Sequence, residues 1–357
     1  MILVLLNNSC ILQQLYNETI LHLTNPTYSL PQEINSDWLH KDKLGALRVR
    51  LSLGRGRYRV DPGLYRIGRP SKNSEVFVTA SYKLSFDHLR KNLKGMDAWI
   101  LVLETHGINV WCAAGKGTFG SEQLIKQVKD SRLGLYVDHK RLIVPQLGAS
   151  GIAAHQVKQE TGFSVRFGPV RATDIKKYVA SGYKKNPADR TVEFKLKDRF
   201  ILTPVELVNS LKYLFPVIAV FMLLSGLNPE GYSFGLIWNQ GSRAALYLLA
   251  AYLSGAFLAP VLLPFLPFRQ FGGKGLVTGL LVFGIIILLS PANLPPVPMI
   301  GWFLISGAVS SFLTMNFTGA STYTSLSGVR KEMRVFVPIQ ILFAVAGFTF
   351  FLISLLV

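Results

Sequence analysis

The sequence predicts an α/β domain with a mostly parallel sheet, followed by an all-α membrane domain of five transmembrane helices. Two observations carry this. Of the 38 Lys and Arg and the 20 Asp and Glu in 357 residues, 31 and 17 fall within the first 200 positions. Between residues 75 and 196, short β-rich runs alternate with amphipathic helical stretches, and beyond residue 200 long apolar runs take over. Strands alternating with helices of that length form a parallel sheet covered on both faces.

The first 36 residues open with six apolar positions before Asn7 and Asn8. No Lys or Arg precedes that run and no small-residue cleavage site follows it. It therefore reads as a tail or surface helix and not as a signal peptide or span. The α/β domain is expected over residues 37–200. Its strands are predicted at 76–80, 98–104, 142–145, 163–167 and 192–196, and its helices at 85–93, 122–129, 152–160 and 173–180. In the second helix Leu124, Ile125 and Val128 share a face, with Lys126 and Lys129 opposite. The pattern is Rossmann-like, and such sheets bind ligands beyond the carboxyl ends of their strands. Segments 79–82, 105–120, 146–149 and 168–170 lie at that edge and are rich in small and hydroxyl residues. Small residues let backbone approach a broad ligand, yet ordinary βα turns favour the same residues. Composition alone leaves both readings open.

The membrane domain is expected over residues 201–357, with spans near 205–226, 243–266, 274–291, 298–318 and 335–357. Each is close to the ~20 residues that cross a bilayer. Pro216, Pro260 and Pro264 fall inside these spans, where neighbouring helices must satisfy freed backbone groups. Arg269 and Lys274 flank the second connector, and Arg330, Lys331 and Arg334 occupy the fourth. The first carries Glu230 before Arg243, and the third is uncharged. Basic connectors alternating with neutral ones follow the positive-inside rule. A multi-pass protein of the cytoplasmic (inner) membrane is expected, its soluble domain cytoplasmic and its C-terminus outside.

The net charge of +18 raises the question of nucleic acid. The basic residues are scattered, however, and the densest group (Arg48, Arg50, Arg55, Arg57 and Arg59) precedes the first predicted strand. Proximity to the lipid bilayer or to an acidic partner accounts for them, and no nucleic acid is expected. Two cysteines, Cys10 and Cys112, are too few for a cubane iron–sulfur cluster or a disulfide framework. Electrons, if the chemistry needs them, must come from another protein.

The chemistry concentrates in GINVWCAAGKGTFG, residues 107–120. It follows a near-continuous apolar strand and precedes an amphipathic helix. A short helix is expected over Asn109-Val110-Trp111-Cys112-Ala113-Ala114-Gly115-Lys116, with Asn109 as N-cap and Gly115 as C-cap. Its glycines lack the spacing of a phosphate-cradling loop. Taken alone, Cys112 is either a small buried hydrophobe or a ligand. Its place at the ligand edge, near a helix N-terminus and Lys116, favours a thiolate.

The stretch NVWCAAGK resembles the cap-helix signature of the mercury-methylating corrinoid protein family (HgcA). VFVTASYKLSFDHLR, DAWILVLETHGINVWCAAGKGTFG, LIVPQLGASGIAAHQVK, GPVRATDI and NFTGASTYTSLSGVRKEMR resemble that family's pattern in the same order, over residues 37–357. The domain is similar, more distantly, to that of the corrinoid iron–sulfur protein of the acetyl-CoA pathway, which lacks a five-span tail. The resemblance implies a cobalamin or related corrinoid as cofactor, with Cys112 as lower axial ligand and catalytic residue. It places Asn109, Val110, Trp111, Ala113, Ala114, Gly115 and Lys116 beneath the corrin ring, continued by Gly117, Thr118 and Phe119. Thr79, Ser81 and Tyr82, with Gln146, Leu147, Gly148 and Ala149, would hold the amide rim or the nucleotide tail. The implied activity is corrinoid-dependent methyl transfer to Hg(II), giving methylmercury. The implied partners are a methyl-donating methyltransferase and a ferredoxin-like protein with [4Fe-4S] clusters. A membrane-anchored methyl carrier of one-carbon metabolism is the alternative. A transporter or sensor with a ligand-binding soluble domain is a third, though few charges fall mid-span.

Overall fold

The computed structural model describes residues 30–290, 294–320 and 326–356, so Cys10 and nearly all of the expected N-terminal tail lie outside the described residues. The chain divides into two compact units. One takes the residues up to Val49 with Gly54–Val192, and the other takes Glu193–Val357 with the short Arg50–Leu53 stretch.

The first unit is built on a six-stranded sheet of order β1-β2-β4-β3-β5-β6. The strands are β1 (Gln32–Ile34), β2 (Gly63–Ile67), β3 (Val76–Ala80), β4 (Ala98–Leu103), β5 (Arg141–Val144) and β6 (Ser164–Phe167). Strands β4, β3, β5 and β6 are mutually parallel, β2 runs antiparallel to β4, and β1 is parallel to β2. The parallel part matches four of the five predicted strands. The mixed edge formed by β1 and β2 was not predicted, and it places a strand ahead of the Arg48–Arg59 cluster. The fifth predicted strand, 192–196, does not form. Lys195 instead caps a long helix that begins at Leu196, its backbone N–H donating to the Asp198 carboxylate at 3.2 Å.

Among the described residues six helices complete this unit: α1 (His40–Arg50), α2 (Lys83–Asn92), α3 (Val110–Lys116), α4 (Ser121–Asp130), α5 (Ala154–Thr161) and α6 (Ile175–Ala180). Every residue of β3 and β4 is buried, as central strands of a two-sided sheet require. Alternation along the strands splits the interior into two cores. Val76, Val78, Ala80, Leu101 and Leu103 meet α3, α4 and α5, whereas Phe77, Ile100 and Val102 meet α2 and α6. The connection after β3 runs toward β4, and the one after β5 runs toward β6. The direction of winding therefore reverses between β3 and β5, the place where such sheets open a ligand crevice.

Helix α1 is pinned by a buried charge network. Asp42 accepts from Lys83 Nζ at 3.0 Å and Arg90 Nη2 at 2.7 Å, while Asp87 pairs with Arg90 Nε at 2.7 Å and Lys83 Nζ at 2.5 Å. Arg90 also donates to the carbonyls of Asn35 and Asp37. Burial pushes the Asp42 carboxyl up, but the Lys83 and Arg90 hydrogen bonds outweigh it and hold the group below the ordinary 3.8.

The second unit holds α7 (Leu196–Leu224), a β7–β8 hairpin (Leu227–Asn228 and Gly231–Tyr232), α8 (Phe234–Leu253), α9 (Phe271–Leu289), α10 (Pro296–Asn316) and α11 (Leu326–Leu356). A π turn over Ser254–Leu258 and a last turn Ala259–Leu262 prolong α8. Among the described residues five helices are long and apolar enough to cross a membrane, beginning earlier than the apolar runs alone suggest. The π turn sits just before Pro260, where the missing N–H loosens the ladder, and Pro264 lies beyond the helix. Helices α9 and α10 pack closely through small residues. A Cβ on Gly275 or Gly279 would lie 2.6 or 2.5 Å from the carbonyl oxygens of Ser310 and Ser306.

Asp87→Ala should lower the stability of the full chain in detergent by roughly 3 kcal/mol, because it strips a partner from the buried Arg90 and the partly buried Lys83. A thermal melt that shifts no more than for a surface control would refute this. The Asp42 contribution is fully present above the ordinary carboxylate range and is lost as pH falls through its depressed folded value. Acid titration of the melting temperature should show that loss, and Asp42→Asn should abolish it.

Candidate functional site

Strand β4 ends at Leu103, and residues 104–108 make a tight loop into α3. His106 and Gly107 adopt positive φ of 54° and 71° to turn the chain. Ser81, fully buried after β3, ties this loop down. Its Oγ accepts from the backbone N–H of Thr105 at 3.0 Å and of Gly107 at 3.3 Å, and lies 3.0 Å from Glu104 Oε1. Thr105 Oγ1 donates to the Ile108 carbonyl at 2.7 Å, bringing Asn109 to the helix start.

Asn109 caps α3, its side chain accepting from the Cys112 backbone N–H at 2.9 Å. The expected C-cap, Gly115, lies inside the helix. Gly117 is the left-handed cap, with φ of 83°, the conformation a glycine takes without strain. The chain then folds back, Phe119 N–H donating to the Ala113 carbonyl at 3.1 Å.

The seat of α3 is made by glycine. A Cβ on Gly148 would fall 2.4 Å from Phe119 Cε1, and one on Gly151 would fall 2.3 Å from the Phe119 carbonyl oxygen. The helix packs on the turn after β5 and on β3, so it lies over the reversal point of the sheet. It buries Val110, Ala113 and Ala114 and turns outward Trp111 and Cys112, both half-buried, with exposed Gly115 and Lys116. Cys112 is a free thiol. Nothing lies within 4 Å of a Cβ built on Gly115 or Gly117, so the surface beside the thiol is bare.

The structure thus brings together residues 109–119 and 146–149. Of the second group Gln146, Leu147 and Ala149 are half-buried, and Gly148 is covered. Thr79, Ser81 and Tyr82 are at most 5% exposed and Phe119 is fully buried. Their side chains face the interior of the unit. Sequence reading missed Thr105 and Gly151, which position α3, and Lys185, whose Nζ donates to Gln146 Oε1 at 2.6 Å. The repeated small residues were a signal for Gly151; nothing local marked Lys185. A separate 480 Å³ cleft lined by Leu64, Glu104, His106 and Lys126 has no α3 residue in its wall. Among the described residues no three His, Cys, Asp or Glu side chains group as a metal site.

A mixed, largely parallel α/β unit with a cysteine-bearing helix over its reversal point is the class of protein this fold and site define. Residues 54–179 match the family described as CO dehydrogenase/acetyl-CoA synthase delta subunit. The acetyl-CoA decarbonylase/synthase complex subunit gamma of Methanopyrus kandleri is 30% identical over 122 residues, 34% of this chain and 26% of that protein. Its counterpart gamma 1 in Methanosarcina thermophila is 27% identical over 168 residues, covering 46% and 33%. The corrinoid/iron-sulfur protein large subunit of Moorella thermoacetica is 29% identical over 119 residues, covering 33% and 26%. The chain spans a quarter to a third of the length of these relatives.

Gly151→Ala should unseat α3, because the clash is with backbone and not with a flexible tip. A cost of about 1–3 kcal/mol is expected, read as faster amide exchange across residues 110–119. Unchanged exchange there would show that the close approach is not what holds the helix.

Proposed function

We propose that this chain is a membrane-anchored, corrinoid-dependent methyltransferase, in which the Cys112 thiolate would hold the cobalt and Hg(II) would be the methyl acceptor. The observation that carries the cofactor reading is the outward face of α3. It offers a half-exposed thiol beside two glycines with open space over them, above the point where the sheet reverses. A broad planar ligand fits such a face, and a side chain at position 115 would intrude on it. Asn109, Trp111, Cys112, Gly115, Lys116, Gly117 and Thr118 would lie beneath the ring. Gln146, Leu147 and Ala149 would meet its amide rim. Bound there, the corrinoid would supply a cobalt-held methyl group for transfer.

The chain's own part is to fix a soft anionic donor under the metal. Asn109 locks the first turn of α3, and the Gly148 and Gly151 contacts fix its height. A thiolate is a stronger electron donor than imidazole or water, the same push that thiolate gives haem iron. Hg(II) is a soft electrophile, so it requires a methyl group that carries electron density. A methyl-donating methyltransferase would load the site. A ferredoxin-like [4Fe-4S] protein would supply electrons, since this chain has too few cysteines to hold such a cluster. The five apolar helices would anchor the site, with the soluble unit on the cytoplasmic side and the C-terminus outside.

The relatives favour a second reading, a membrane-anchored corrinoid methyl carrier that delivers methyl to a carbon-metabolism acceptor. It uses the same cofactor face and differs in acceptor. Anaerobic membranes given a corrinoid, methyl donor, reductant and Hg(II) should form methylmercury. Cys112→Ala should form none while the purified variant still shows corrinoid absorbance. Activity retained in the variant would overturn the ligand role. A corrinoid-loaded parent that leaves Hg(II) unmethylated would make the carrier reading the better one.

A further inference from the structure

Helix α1 carries an arrangement that neither the corrinoid face nor the membrane helices explain. Successive helical residues turn by about 100°, which places Asp42, Ala46 and Val49 on one side. All three are buried, and Asp42 is the anchor of the charge network to α2. On the opposite side stand Leu44 and Leu47, 58% and 54% exposed. Lys41 and Arg48 border that pair on one flank and Lys43 on the other, and all three are exposed. Leu39, just before the helix, is exposed as well, and Arg57 and Arg59 follow nearby in the chain. None of these cations has an ion pair with a carboxylate among the described residues.

A single exposed leucine on a soluble surface is ordinary. Two leucines one turn apart, bordered on both flanks by cations and set opposite a salt-bridged seat, make a short apolar strip rimmed by positive charge on the exposed side alone, since Ala46 and Val49 face the seat. We propose that α1 lies flat on an anionic lipid surface, with Leu44 and Leu47 in the headgroup–acyl boundary and Lys41, Lys43 and Arg48 at the phosphates. The charge pattern selects this occupant. A leaflet offers acidic groups at the level of the cations and hydrocarbon just below, along a plane parallel to the helix axis. Long basic side chains suit it because their apolar stems follow the leucines while their heads stay in water. The network through Asp42 ties α1 to α2, so docking would hold the whole α/β unit at the membrane surface. This goes beyond anchoring by the five apolar helices, because it fixes a face of the soluble unit and not only a tether.

The test uses the full chain in nanodiscs, in a Cys10→Ser, Cys112→Ser background. A single cysteine carrying an environment-sensitive fluorophore replaces Leu44, Leu47 or the distant control Leu135, itself 53% exposed. Discs are made with phosphatidylglycerol and phosphatidylcholine or with phosphatidylcholine alone, each doped with headgroup-nitroxide lipid. Labels at 44 and 47 should shift to the blue and be quenched by nitroxide lipid in anionic discs, whereas the label at 135 should not. Replacing Lys41, Lys43 and Arg48 by Gln should lower the docked-to-free ratio roughly 100-fold, at about fivefold for each cation lost. Those surface changes leave Asp42 and the buried face intact. Quenching at 44 and 47 equal to that at 135 would overturn the proposal. So would labels shielded from both nitroxide lipid and aqueous iodide, which would mean that protein covers the face.

Discussion

The approach of Gly148 and Gly151 to the Phe119 segment is the constraint on which the site depends. A helix of seven residues has too few internal hydrogen bonds to hold itself, so α3 takes its order from what it touches. The Phe119 ring fills the space a side chain at 148 would take, and the Phe119 carbonyl fills the space above Gly151. With those two positions bare, the segment settles onto the turn after β5, and Cys112 is left on the side away from the core. Ser81 works from the other strand, collecting the two backbone donors of the loop that leads into the helix. The thiol is thereby located by two strand ends that flank the winding reversal, while its own strand contributes only the chain.

This division explains how much of the site could be read from sequence. Asn109 announces itself as a cap, and the apolar run of β4 announces a buried strand, because both signals are local. The role of Ser81 is not local: a serine after a strand looks the same whether it faces a ligand or closes a loop 24 residues away. Position after a strand therefore suggests ligand contact for Thr79, Ser81 and Tyr82, whose side chains stand in the interior. Gly115 and Gly117 illustrate the same limit at shorter range, since either could end the helix and only the left-handed backbone decides between them.

The fold was legible where pattern length allowed. Strands β3 to β6 and their helices emerge from alternation, with ends shifted by a residue or two. Strand β1 is three residues long, too short for a period to register. Strand β2 carries an exposed arginine and pairs antiparallel, which neighbouring sequence does not encode. The β-like run at 192–196 failed for an opposite reason: Lys195 and Asp198 cap a helix there, and hydrogen bonding at the cap outweighs the β propensity of Val192 and Phe194. In the second unit, apolar length gave the five helices. The glycine–serine contacts that bring α9 and α10 together depend on partners too distant in sequence to read.

Gly115 has a meaning for how this helix could have been selected. Glycine inside a helix is less favourable than alanine by about 0.5–1 kcal/mol. No positive φ requires it here, and no neighbour among the described residues would meet an added methyl group. On stability alone, alanine is the better residue at that position, and drift among folded variants would favour it. A bare position there would suit the broad ligand proposed for this face. Substitutions at 115 should therefore separate fitness for folding from fitness for function more cleanly than any other position on the helix.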